Sequence, residues 1–170
     1  RGLGDVYKRQ HISYWGRPHD YLWLGTAHPS LVYQQMSLAY ERGIQKMWIL
    51  NVGDIKPAEY QVELFLDMAW NLEAVKQQGV AAHQRHFLER EFGKNRADRL
   101  QPVMQEAYRL AYIRKPEFMG NTRTEEKDPK FKVISDLPWS EQEINERLAA
   151  YRQLSDNCLL YTSPSPRDIS

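Results

Sequence analysis

KMWILNVGDIKPAEYQVELFLDMAW, residues 46–70, decides the fold. Its first seven residues are apolar apart from Lys46 and Asn51, and so short a run, closed by Gly53, reads as a strand buried on both faces, as in parallel sheets. The polar turn GDIKP follows at once. Val62, Phe65, Met68 and Ala69 then recur at helical spacing. Upstream, HPSLVYQQMSLAYERG (residues 28–43) offers Pro29 and Ser30 at a helix start, Leu31, Met36, Leu38 and Ala39 as apolar positions, and Gly43 as a left-handed stop. Before it stand the short aromatic piece HISYW (residues 11–15) and the polar loop GRPHD (residues 16–20). Helix, glycine, buried strand, polar turn, helix is the repeating unit of an α/β barrel or a doubly wound sheet.

Beyond Asn71 the strand signals stop. VAAHQRHFLEREFG ends in Gly93, and the next stretch places Leu100, Val103, Met104, Ala107 and Leu110 on one helical face, with Asn95 as its expected cap. Pro102 falls inside that pattern, so a helix begins or kinks there. Residues 118–138 are polar, contain Gly120 and Pro129, and read as a long loop. SEQE at Ser140 to Glu143 then matches a capping box, with Ile144, Leu148 and Tyr151 as the apolar stripe behind it. Although the length suits one ordinary domain, the change of pattern near residues 71–78 points to pieces of two.

The two ends belong together in an unexpected way. A permitted codon string for RGLGDVYKRQ (residues 1–10), reverse-complemented and shifted by one base, encodes CLLYTSPSP and the start of an arginine codon, the sequence of Cys158 to Arg167. That relation is expected of an inverted sequencing adapter translated at both ends of a DNA fragment, so residues 1–10 and 158–170 are set aside as scars. The whole chain has 23 basic and 22 acidic residues, of which the flanks supply four and two; residues 11–157 therefore carry 19 and 20. A net charge of −1 gives no sign of a nucleic-acid partner. The single cysteine, Cys158, lies in a flank and leaves no disulfide to form. No apolar run approaches the roughly 20 residues that span a bilayer, and no membrane partner is expected.

Chemistry in parallel α/β proteins gathers where strands end. One such place crowds His11, Tyr14, Trp15, Arg17, His19 and Asp20; the other is ILNVGD, where Asn51 ends the strand and Asp54 and Lys56 follow. Aromatic faces beside hydrogen-bonding donors suit a carbohydrate, and the arginine fork suits the carboxylate of a uronic acid. Plainer roles compete. Asp54 reads equally as a helix cap, and Trp15, Trp23 and above all Trp48 as core. His83 and His86 have metal-compatible spacing but no third ligand, so a solvated face is the better reading; Glu59, Glu63 and Asp67 read as solvent-facing charge. Asn51, polar after four apolar neighbours, is balanced between site and structural hydrogen bond.

The near-continuous stretch from His11 to Asn71, above all SYWGRPHDYLWL paired with WILNVGDIKPAE, resembles glycoside hydrolase family 115, the α-glucuronidases of glucuronoxylan; REFG (residues 90–93) and YIRKPEF (residues 112–118) extend the likeness. The resemblance implies an α/β fold: the C-terminal part of a TIM-type β/α barrel at residues 11–75, followed by a helical-bundle segment at 76–157. It implies a large multidomain parent, secreted or periplasmic, with a homodimer as an open alternative. The reaction implied is inverting removal of α-1,2-linked glucuronic acid or its 4-O-methyl form from glucuronoxylan or a derived oligosaccharide. No cofactor and no metal are called for. His11 and Tyr14 match active-site positions of the family, Asn51 matches a pocket position, and Arg17 and Asp20 are pocket candidates on the same loop. Inversion needs a carboxylic acid and a carboxylate about 6.5–9.5 Å apart. The pair expected for this role lies on barrel strands upstream of His11, so the chain by itself is expected to be inactive.

Two other classes compete. A non-catalytic carbohydrate-binding or scaffold module would use the same aromatic loops without turnover. A phosphosugar isomerase on a barrel would need a Gly-rich phosphate loop at a helix start, which the sequence lacks. With most barrel strands missing, residues 46–52 would expose two edges and two apolar faces, and aggregation is expected.

Overall fold

The computed structural model describes residues 9–13, 25–56, 58–114 and 139–162. In chain order it contains β1 (Arg9–Ser13), α1 (Pro29–Glu41), β2 (Met47–Asn51), α2 (Glu59–Trp70), α3 (Leu72–Gln78), α4 (Val80–Phe92), α5 (Lys94–Ile113) and α6 (Glu141–Thr162). The protein is mostly helical with little strand. β1 and β2 pair in parallel, in a register running from Arg9 opposite Met47 to Ser13 opposite Asn51. Parallel neighbours need a crossover, and α1 lies on it. This β-α-β unit is coarser than the barrel segment expected from sequence, because two paired strands do not define a barrel.

Helices cover one face of the sheet. Trp48 and Leu50 are half-buried and pack, with Ile12, on a cluster made by Val32 and Met36 of α1, Leu64, Phe65 and Met68 of α2, and Leu72 and Val75 of α3. The Trp48 indole N–H donates to the Ile44 carbonyl at 2.8 Å, and its ring meets Phe65 at 5.9 Å; the core role expected of it holds. On the opposite face Met47 and Ile49 remain 53 % and 39 % exposed. The expectation of a strand buried on both faces is thereby corrected: alternate side chains point to opposite sides, and only one side meets helices.

The helix faces match expectation in part: Met36 and Ala39 of α1 and Phe65 and Met68 of α2 are buried as read. Leu31 and Leu38 of α1 are exposed while Val32, Met36, Ser37 and Ala39 are buried, and on α2 Ala69 is exposed while Tyr60, Gln61 and Leu64 are buried. Burying each large apolar side chain contributes roughly 1.5–3 kcal/mol, so Leu64, Phe65 and Met68 together fix how α2 sits.

Gly93, at φ 82°, both ends α4 and precedes α5: its N–H donates to Glu89 and its carbonyl accepts from Ala97. A left-handed residue suits this abrupt change of direction, and the helix begins at Lys94 rather than after Asn95. Pro102 lies inside α5, which continues through it. A second cluster joins Tyr60 of α2 to Phe87 and Leu88 of α4 and to Ala97, Leu100 and Tyr108 of α5. Residues 118–138, expected as a loop, lie outside the described residues.

At the start of α6 the capping box forms as read. The Ser140 N–H donates to Glu143 Oε2 at 2.8 Å, and the Glu143 N–H donates back to Ser140 Oγ at 3.2 Å. The expected stripe does not bury, since Ile144 and Leu148 are 47 % and 46 % exposed. Arg147 makes the contact instead, donating to the carbonyls of Leu110 at 3.1 Å and Arg114 at 2.5 Å. These carbonyls end α5, where a cation is favoured by both hydrogen bonding and the helix dipole. Trp139 and Tyr151 flank the guanidinium, each ring centre 5.1 Å away. Among the described residues, no helix is long and apolar enough to cross a membrane.

Candidate functional site

Because α1 runs back along the sheet, the starts of α1 and α2 lie at the carboxyl ends of the strands. Asn51 closes β2 at that end, exposed, on the same face as Met47 and Ile49 and away from the helices. It is level with Ser13, and His11 stands two rungs earlier, opposite Ile49. His11 and Asn51 therefore occupy adjoining strands. The other pocket candidates, Tyr14, Arg17 and Asp20, lie outside the described residues, as do Trp15, His19 and Trp23.

Asp54 and Lys56 are exposed on the turn between β2 and α2. Asp54 does not cap the following helix: α2 has Ala58 at its N-cap position and no side-chain cap hydrogen bond. The entry to α1 is tied to α2 by Gln61, fully buried, whose amide donates to the Gly25 carbonyl at 2.7 Å. A Cβ on Gly25 would come within 2.6 Å of that amide, so a larger residue here would force the end of the Gln61 side chain to shift.

His28 is the N-cap of α1, a role that went unread in the sequence although histidine directly precedes the Pro-Ser start. Its Nδ1 accepts the Ser30 N–H at 3.2 Å, which places the ring proton on Nε2 when the imidazole is neutral. Burial holds its pKa below the ordinary value of 6.5. With Ser30, Leu31, Gln34 and Tyr112 it lines a cavity of about 240 Å³, the Tyr112 ring standing edge-on 5.6 Å away.

A second polar group lies between α2 and α4. His83, read from sequence as solvated, is 5 % exposed, and its Nε2 is 3.0 Å from Asp67 Oδ2. Glu63, one turn before Asp67, accepts the fork of Arg90, which also lies over the Phe87 ring. Ligand atoms of Glu63, Asp67 and His83 all lie within 4.8 Å of one another. His86 is exposed and bonded to Gln78 at 2.8 Å. Spacing along one helix thus suggested the wrong pair; the carboxylates that join His83 come from a different helix.

The profile of glycosyl hydrolase family 115 matches residues 4–118. Among solved structures, the chain is similar to one described as a novel family 115 4-O-methyl-α-glucuronidase with specificity for decorated arabinogalactans: 65 % identity, a TM-score of 0.82, and coverage of 94 % of this chain but 21 % of that one. The present chain thus spans about a fifth of that structure's length. Comparison with curated proteins found no match.

Proposed function

The chain belongs to glycosyl hydrolase family 115, and from that membership we propose that it is part of an α-glucuronidase that removes glucuronic acid or its 4-O-methyl form from a plant polysaccharide. The observation that carries the reading is the 65 % identity, sustained over 94 % of the chain, to a 4-O-methyl-α-glucuronidase. A scaffold role gains no support from this likeness. The same relative's specificity directs the substrate toward decorated arabinogalactan, ahead of the glucuronoxylan read from the family resemblance.

In this proposal residues 11–75 are a segment of a catalytic β/α barrel and residues 76–157 a helical segment behind it. Substrate lies at the carboxyl ends of β1 and β2, where Asn51 closes β2 and His11 stands two rungs back on the adjoining strand. Asn51 would hydrogen-bond sugar hydroxyls, Tyr14 would stack or donate, Arg17 would pair with the uronate carboxylate, and Asp20, three residues further in sequence, is a further pocket candidate. The reaction proposed is inverting: one carboxylic acid protonates the leaving oxygen while a second carboxylate activates water. Both are assigned to parts of the parent enzyme beyond this chain, which by itself is inactive.

The test is an assay of the purified chain and of the longer enzyme that contains it, against decorated arabinogalactan and glucuronoxylan, with the liberated uronic acid identified. Release by the longer enzyme and none by the chain is expected. Turnover by the chain above that of its His11→Ala/Tyr14→Ala variant would overturn the assignment of the acid and base elsewhere. Equal binding of both polysaccharides by the longer enzyme without release from either would favour a binding module.

A further inference from the structure

We propose that Glu63, Asp67 and His83 form a binding site for a divalent transition-metal ion, zinc foremost, that fastens α2 to α4. The site stands apart from the strand ends and does not depend on the glucuronidase reading. Glu63 and Asp67 are four residues apart on α2, so both carboxylates project from one side of that helix. His83 arrives from the first turn of α4. Their ligand atoms lie within 4.8 Å of one another, and the closest pair, His83 Nε2 and Asp67 Oδ2, is 3.0 Å apart. Two ligands bonded to zinc at about 2.0–2.2 Å in tetrahedral geometry are themselves separated by roughly 3.4 Å. Small side-chain rotations therefore suffice to close the set on one ion.

A second observation concerns the imidazole itself. His83 is 5 % exposed and turns Nε2 into the cluster, yet its Nδ1 has no hydrogen-bond partner among the described residues. Nδ1 stays unpaired with or without an ion, but Nε2, the atom turned into the cluster, would exchange its hydrogen bond to Asp67 for a stronger bond to the metal. One nitrogen and two carboxylate oxygens form a donor set that zinc accepts, with a fourth position left for water. Magnesium, which favours octahedral oxygen coordination, fits it poorly. Asp67 is 54 % exposed on its side chain, which gives the ion a route from solvent. Arg90, forked onto Glu63, is the orienting group around the site, and Tyr60 packs its ring 5.8 Å from that of His83. Arg90 also competes for Glu63, so binding is expected to be moderate rather than very tight.

The experiment is calorimetric titration of the chelator-treated full chain with zinc chloride and, separately, magnesium chloride. It is done in a Cys158→Ser background, because that exposed thiol is itself a zinc ligand. One zinc per chain and no response to magnesium are expected. Asp67→Asn should weaken zinc at least about tenfold, and Glu63→Gln by a similar factor, since loss of even an orienting group costs about 10–100-fold. Glu63→Gln keeps the test open should a variant at the buried His83 fail to fold. Absence of zinc binding overturns the proposal. So does binding that is unchanged in both carboxylate variants, which would place the ion elsewhere, at His86 for example.

Discussion

The β-α-β portion and the helices after it solve burial in different ways. α4 and α5 close on each other through Phe87, Leu88, Ala97, Leu100 and Tyr108, whereas the sheet is covered on one face and leaves Met47 and Ile49 on the other. Parallel sheets in complete proteins are covered on both faces. The uncovered side also bears Asn51, with His11 on the neighbouring strand. The helical portion is packed for stability; the sheet portion places its polar strand end on the surface where the proposed substrate lies.

Tyr60 is where the two regions can be broken apart. It is rooted in α2, 1 % exposed, bonded to the Val80 carbonyl and packed 5.3 Å from the Phe87 ring. Tyr60→Ala should cost about 3–5 kcal/mol and be seen in urea unfolding followed by tryptophan fluorescence and circular dichroism together. Coincident shifts in both signals mean one cooperative unit; a shift in helical signal alone would separate the regions. Arg147→Ala should follow at about 1–3 kcal/mol, because it removes the charge-assisted hydrogen bonds to the Leu110 and Arg114 carbonyls and releases α6. An unchanged unfolding midpoint would contradict that role.

Acid sharpens the contrast at a smaller scale. Hydrogen bonds from the Ser140 backbone and hydroxyl hold the Glu143 carboxyl below its ordinary value of 4.5. A depressed carboxylate contributes stability above the unfolded pKa and loses it as pH falls through the folded one. α6 should therefore loosen as pH falls below 4.5, and Glu143→Ala should remove that pH response from the helical signal. His28 acts in the same direction at higher pH: its lowered pKa means that protonation opposes folding, so stability drops as pH falls below 6.5. The smallest effect is expected at the open face, where Ile49→Lys should change the chain's stability by no more than about 0.5 kcal/mol. In the longer enzyme the same substitution should be far more damaging, and equal tolerance in both settings would mean that this face is never covered.

Much of this was legible in the sequence, for identifiable reasons. The capping box at Ser140 and the stops at Gly43 and Gly93 depend on local backbone chemistry and were found where short-range rules placed them. The faces of α1 and α2 were found in part, with Met36, Ala39, Phe65 and Met68 buried but Leu31, Leu38 and Ala69 exposed, and Ile144 and Leu148 of α6 stay half exposed, because which apolar residue turns inward depends on neighbours distant in sequence. Arg147 buries where Ile144 was expected, since its partners are the carbonyls ending α5. Likewise His83 gained its carboxylates from α2, which spacing along α4 could not reveal. At the candidate site, the sequence singled out His11 and Asn51, and the parallel register brings their strands side by side.

The most direct measurement is the release of 4-O-methylglucuronic acid from decorated arabinogalactan by the longer enzyme and by its Asn51→Ala variant. The proposed site predicts release by the parent and a fall of about 100-fold in turnover for the variant, the scale on which loss of one well-placed hydrogen-bond donor acts. Full activity in a folded Asn51→Ala enzyme, or no release by the parent from any glucuronidated polysaccharide, would contradict it.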